Sequence, residues 1–216
     1  ISPQIADNIL KNRNELSGAK KHVCIMFLDI RKFTPYVERH QPEEVVTYLN
    51  TLFGFMIDIV QSHHGVINQF LGDGFMATFG APVSIGDIRQ HATEASLEII
   101  SKMNSEIVKG SIPETRIGIG LHYDEAITGN IGSSIRKQYS ITGRVVVMAS
   151  RIEQLNKEIN SQLLISKEVY NQLNSATQSV FTGIGTSNIK GSTRPVSLYK
   201  LEEMNSQVIK NRDYED

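Results

Sequence analysis

Val23-Cys24-Ile25-Met26-Phe27-Leu28-Asp29-Ile30 and Val66-Ile67-Asn68-Gln69-Phe70-Leu71-Gly72-Asp73-Gly74-Phe75-Met76-Ala77-Thr78-Phe79 are the stretches on which the fold turns. The first opens with six consecutive apolar residues, rich in β-branched and aromatic types and free of Gly and Pro, which predicts a strand buried on both faces. The second predicts two short strands joined at Gly72-Asp73-Gly74, because Asp-Gly between apolar runs is a good hairpin signal. The flanking glycines allow a close backbone approach to a bulky charged group such as a phosphate. Each stretch carries an aspartate, Asp29 or Asp73, at a strand end where a sheet opens to solvent.

Two strand-end carboxylates are hard oxygen donors of the kind that hold Mg²⁺ or Mn²⁺ together with substrate phosphates. They point to two-metal phosphoryl or nucleotidyl transfer. The plainer reading has Asp29 capping the following segment and Asp73 filling a type I′ turn; the residues alone leave both open.

Outward from these stretches, Gln41-Pro42-Glu43-Glu44 starts a helix with acids in its first turn. Val45, Leu49, Leu52, Phe53, Met56, Ile57 and Val60 give that helix one apolar face, and Gly65 is expected to stop it. A second long helix is expected over Asp87 to Val108, then a strand at Arg116 to His122 whose alternating glycines predict close helix packing. His122 is expected to be a polar strand residue with no catalytic part. Thr128 to Gly132 reads as a turn, Gln138 to Gly143 as a short strand and Val145 to Leu155 as a helix. Gln162 to Ile165, Ser179 to Thr186 and Val196 to Leu201 are the last strands, with a short helix from Ser166 through Leu173. The order β-α-β-β-α-β predicts an α+β fold, a ferredoxin-like split βαβ sandwich with helices on one face.

A chain of 216 residues can bury one good core. Its net charge of −1 gives no global basic field for nucleic acid or membrane. The single cysteine, Cys24, excludes a disulfide framework and fits a reducing compartment. The six histidines include the pair His63-His64 but show no metal-ligand spacing to the cysteine. No signal peptide and no long apolar run are apparent, so a cytoplasmic catalytic domain is expected. The start at Ile1 without Met suggests a piece of something longer, whose remainder could carry a sensor domain or a membrane anchor. Ser2 to Leu10 reads as a short helix. The expected organisation is a lead-in from an upstream regulatory region over 1–20, a catalytic domain over 21–202 and a flexible tail over 203–216.

Phe27-Leu28-Asp29-Ile30-Arg31-Lys32-Phe33-Thr34 resembles the metal-binding opening of the class III nucleotidyl (adenylyl/guanylyl) cyclase catalytic domain, and Phe70 to Ala77 resembles its second metal hairpin. Order and spacing agree over roughly Lys21 to Leu201. The resemblance implies two ions, Mg²⁺ or Mn²⁺, held by Asp29, Asp73 and the Ile30 carbonyl, with backbone N–H groups from Ile30 through Phe33 to Thr34 around phosphate. It implies conversion of ATP to 3′,5′-cyclic AMP and pyrophosphate, in signal transduction, by a head-to-tail homodimer in which each copy completes the other's site. Arg151 corresponds to the family's transition-state arginine. Lys190 and Arg136 correspond to residues facing the phosphates.

Some positions depart from the family. The base-reading lysine and its partner are replaced by Gln69 and Ser140, and a second phosphate-contacting lysine by Ser192. Because amide and hydroxyl can each donate or accept, neither Gln69 nor Ser140 fixes the base, and guanine or a pyrimidine stays open beside adenine. The transition-state asparagine, one helical turn before Arg151, is Val147. A degenerate domain that binds nucleotide and regulates without turnover is the alternative. A diguanylate cyclase is discounted, since the Gly-Gly-Asp-Glu-Phe signature is missing from the sequence.

Overall fold

The computed structural model describes residues 18–132, 137–189 and 195–202. The expected helix at Ser2 to Leu10 and the expected tail lie outside these residues. Strand β1 (Ala19–Ile30) is the spine, paired antiparallel with β3 (Gly74–Phe79) on one side and β4 (Ile117–Gly132) on the other. β2 (Val66–Phe70) pairs with β3, while β6 (Leu163–Ser166), β8 (Val196–Leu201) and β7 (Phe181–Ser187) extend the sheet beyond β4. β5 (Lys137–Thr142) pairs with the far end of β4. The mixed α+β sandwich expected from the sequence is therefore present. In place of the expected turn at Thr128 to Gly132, β4 runs straight on, because pairing with β5 satisfies its backbone.

Alternation along β1 sorts the core into two layers. Cys24, Met26, Leu28 and Ile30 face α2 (Pro42–Ser62) and α3 (Ile88–Val108), meeting Leu52, Met56, Ala95 and Ile99. Val23 and Ile25 face the other way, onto Val145 and Ala149 of α4 (Arg144–Ile159). Helices thus cover both faces, a departure from the one-faced arrangement, since α4 is an addition beyond the βαββαβ unit. The short helices α1 (Phe33–Val37), α5 (Lys167–Tyr170) and α6 (Ser175–Gln178) complete the described elements, and the sequence pattern gives no sign of α6. Burial of Cys24 pushes its thiol far above the ordinary range, as suits a core residue.

Two local expectations shift. The stripe of α2 is rotated so that Tyr48 and Ile59 are buried rather than Val45 and Ile57, and the Tyr48 hydroxyl pairs with Thr115 Oγ1 at 2.8 Å. At the end of α2 it is His64, not Gly65, that takes the left-handed conformation (φ 62°). Gly65 is required for space, because a Cβ there would lie 2.6 Å from the Phe79 ring. By length and composition α2 is long and apolar enough to cross a membrane, yet Leu52, Met56 and Val60 are fully buried, as in a core helix.

The contact that positions the functional site is α4 against β4. A Cβ on Gly120 would stand 2.3 Å from the Glu153 backbone nitrogen and 2.7 Å from the Ala149 carbonyl oxygen, so the helix backbone rests directly on the strand. Gly120→Ala must push the helix off the sheet and is expected to destabilise by about 1–3 kcal/mol in urea unfolding. Gly54, inside α2, should do the reverse, since a Cβ added there would have nothing within 4 Å. Gly54→Ala is expected to stabilise by about 0.5–1 kcal/mol, and a loss in the same assay would contradict that open helix face.

Candidate active site

Asp29 lies opposite Gly74 on β3 and Gly118 on β4, so neither cross-strand neighbour puts a side chain beside its carboxylate. The space over Gly118 is filled by Arg31, whose Nη2 would lie 1.7 Å from a Cβ at that position. Asp73 sits in the loop 71–73 between β2 and β3, and its carbonyl accepts the Ile30 N–H at 3.0 Å. This bond ties the hairpin to the end of β1 and brings the two aspartates together. Positive φ is taken by Gly72 (81°), not Asp73, and four residues separate the paired Phe70 and Phe75, so the two-residue type I′ turn does not form.

Four charged side chains converge on the sheet face covered by α4. Arg31 Nη1 donates to Asp29 Oδ2 at 3.2 Å, and Nη2 donates to the Glu153 carbonyl at 3.3 Å. The same Nη2 lies 2.7 Å from Glu153 Oε1, a close charge contact rather than an aligned hydrogen bond. Lys157, one turn beyond Glu153, reaches Asp29 Oδ2 at 3.4 Å. The Asp29 carboxyl is held above the ordinary carboxylate range, first by desolvation and then by repulsion from Asp73, with Lys157 and Arg31 pulling the other way. Glu153 is raised for the same leading reason.

Two carboxylates that repel each other, with cationic side chains already drawn to one of them, form an oxygen donor set that fits a hard divalent cation. Asp29 and Asp73 are the side chains that would hold it. Ile30 could add only main-chain atoms, since its side chain is buried in the opposite layer. The N–H groups that could face a phosphate are fewer than the resemblance implies. The Ile30 and Arg31 N–H groups are committed to the carbonyls of Asp73 and Arg116, leaving those of Lys32, Phe33 and Thr34 at the start of α1.

Gln69 and Ser140 are brought together. With Phe27, Leu71, Met76 and Val146 they line a pocket of about 140 Å³ that neither aspartate lines. Val147 and Arg151 lie on the outward face of α4; Val147 is 49% exposed, and Arg151 donates to Gln154 Oε1 at 3.0 Å. Lys190 and Arg136 lie outside the described residues. His122 is buried, with Nδ1 2.9 Å from Ser166 Oγ, and desolvation holds it below the ordinary imidazole range, which fits a structural role.

The adenylate and guanylate cyclase catalytic domain family matches residues 16–203. The chain belongs to this family. It is 33% identical over 185 residues to adenylate cyclase 1 of Rhizobium meliloti, covering 84% of this chain and 28% of that protein. An uncharacterized protein of Mycobacterium tuberculosis is 30% identical over 93% of this chain and 36% of its own length. The chain thus spans about a third of such relatives. Among solved structures, the adenylyl cyclase CyaB from P. aeruginosa superposes with a TM-score of 0.74 at 28% identity, over 88% of this chain and 98% of that one. The guanylyl cyclase Cya2 superposes with a TM-score of 0.71 at 30% identity, over 88% and 95%.

In this cyclase domain the residues missed by sequence reasoning are Arg31, Glu153 and Lys157. No motif marks Glu153 and Lys157, an i, i+4 pair, in the sequence, and the glycine-lined contact with β4 seats Glu153 against Arg31 and Lys157 against Asp29. The charge balance has a measurable consequence. Because folding raises the Asp29 pKa, the folded chain binds that proton more tightly than the unfolded one. Its contribution to stability is therefore present below the unfolded pKa and is lost as pH rises through the folded value. Asp29→Asn is expected to make metal-free stability depend less steeply on pH just above the ordinary carboxylate range, read by urea unfolding in chelator; an unchanged slope would contradict the assigned charge balance.

Proposed function

We propose that this domain converts ATP to 3′,5′-cyclic AMP and pyrophosphate in a head-to-tail pair of identical copies, within a longer signalling protein whose catalytic part is cytoplasmic. The observation that carries the reading is the pair Asp29 and Asp73 at the open end of β1, kept together by the hydrogen bond from the Ile30 N–H to the Asp73 carbonyl. In the reaction the ribose 3′ oxygen forms a bond to the α-phosphorus, the bond from that phosphorus to the bridging oxygen breaks, pyrophosphate leaves and the 3′ hydroxyl proton is released. Bound Mg²⁺ or Mn²⁺ would neutralise the triphosphate and lower the pKa of the 3′ hydroxyl.

The remaining work belongs to side chains and N–H groups. Asp29 and Asp73 fix where positive charge is held, and the N–H groups opening α1 orient phosphate oxygens. The pocket of Gln69 and Ser140 receives the base, and Phe27 and Met76 supply its apolar floor. Arg151, on the outward face of α4, is offered to the partner's triphosphate as transition-state charge, with Lys190 and Arg136 assigned to its phosphates. Each copy would hold ions at its own aspartates and offer Arg151 to the other, so two copies make two sites. ATP is favoured over GTP by the adenylate cyclase relative, while Gln69 and Ser140 tolerate either purine.

A second reading, a nucleotide-binding regulator without turnover, is favoured by Val147. An exposed apolar side chain stands where the family places a hydrogen-bonding asparagine. Incubating the chain with Mn²⁺ and, separately, ATP, GTP, CTP and UTP separates the two. Cyclic AMP lost on Asp73→Ala is the expected outcome, whereas bound nucleotide without product at high protein concentration selects the regulator. Loss of one oriented transition-state contact costs on the order of a hundredfold in rate. Val147→Asn is therefore expected to raise turnover by about tenfold or more, and a folded variant without a gain would count against this alignment.

A further inference from the structure

The two cations on Asp29 are held very differently. The Arg31 side chain is 13% exposed, lies in the slot left by Gly118, and contacts Asp29 together with both the carboxylate and the backbone carbonyl of Glu153. Its planar fork is satisfied on several sides, so it stays in place. Lys157 is 61% exposed, and its ion pair is with Asp29 alone among the described residues. A flexible ammonium on a solvated stem gains little from such a pair and leaves it at little cost. Both pairs use the same oxygen, Oδ2 of Asp29.

We propose that Lys157 is a resident counter-cation for Asp29, which an entering divalent ion displaces into solvent, so that this lysine sets the metal affinity of the site. Arg31 is a positioning residue that holds the carboxylate in place through the exchange. Metal-free, the repulsion between Asp29 and Asp73 is relieved by Lys157. With the ion bound, that charge is supplied from outside and the ammonium next to it becomes repulsive. Glu153, one turn before Lys157, stays engaged with Arg31, so α4 keeps its seat while the lysine swings away.

The inference rests on Asp29 as a metal ligand, and the experiment separates the two claims. Lysines of the full 216-residue chain are reductively ¹³C-methylated, and the Lys157 signal is assigned by its loss in Lys157→Arg. Titration with Mg²⁺ alone is expected to move that signal to the position it shows in metal-free Asp29→Asn. Mn²⁺ binding followed by electron paramagnetic resonance is expected to be about two- to fivefold tighter in Lys157→Met, the range an exposed ion pair allows. Lys167→Met, which removes a distant exposed cation, should leave it unchanged. A Lys157 signal unmoved by saturating Mg²⁺, or equal tightening in Lys167→Met, overturns the displacement. If Asp29→Asn also binds Mn²⁺ as well as the unsubstituted chain, the metal assignment falls with it; if that variant loses Mn²⁺, only the displacement is refuted.

Discussion

Helix α4 sits on the bare backbone of β4, and the arrangement of charge at the site follows from that seating. Gly118 and Gly120 remove the side chains that would hold a helix at ordinary distance from a sheet. One glycine admits the helix backbone, and the other admits the Arg31 guanidinium beneath it. A Cβ at either position would lift Glu153 and Lys157 away from the end of β1, and the charge cluster around Asp29 would come apart. Packing in one layer therefore decides electrostatics in the next.

The cluster so formed is poor for stability and good for chemistry. Asp29 and Glu153 are both pushed toward their neutral forms by desolvation, and Asp29 also by its neighbour Asp73. A chain selected only to fold would place apolar groups there or leave the acids in water. Holding two carboxylates together at a strand end costs free energy that a divalent cation would return, which is how perturbed acids come to mark functional sites. The hydrogen bond from Ile30 N–H to the Asp73 carbonyl keeps the pair together in spite of their repulsion.

Helix α4 presents two chemistries on two faces. Its inner face, through Ala149, Glu153 and Asn156, is fastened to β4 and to Arg31; Asn156 donates to the Ile119 carbonyl at 2.9 Å. Its outer face carries the exposed Val147 and the half-buried Arg151. In the proposed head-to-tail pair the same helix would reach Asp29 of its own copy and the triphosphate of the other. The Gln69 and Ser140 pocket opens beside the start of this helix, against Val146, so the shape of that pocket depends on the same seating.

Elements that depend on near neighbours were legible in the amino-acid sequence. The doubly buried β1, the Asp73 hairpin, the two long core helices and the strand-end positions of Asp29 and Asp73 all follow from apolar periodicity and turn chemistry. So does the identity of Arg151 and Val147 as i, i+4 neighbours on one helix face. Which groups meet across the sheet was left to tertiary packing. That α4 covers the second face, that Arg31 bridges Asp29 and Glu153, that Lys157 reaches Asp29, and that Gln69 and Ser140 share a pocket are contacts between residues far apart in the chain. Such contacts are fixed by how closely two backbones can approach. A glycine in a sequence permits a close approach without saying which helix will use it, and an exposed-looking Glu and Lys reveal nothing of the acid they will face.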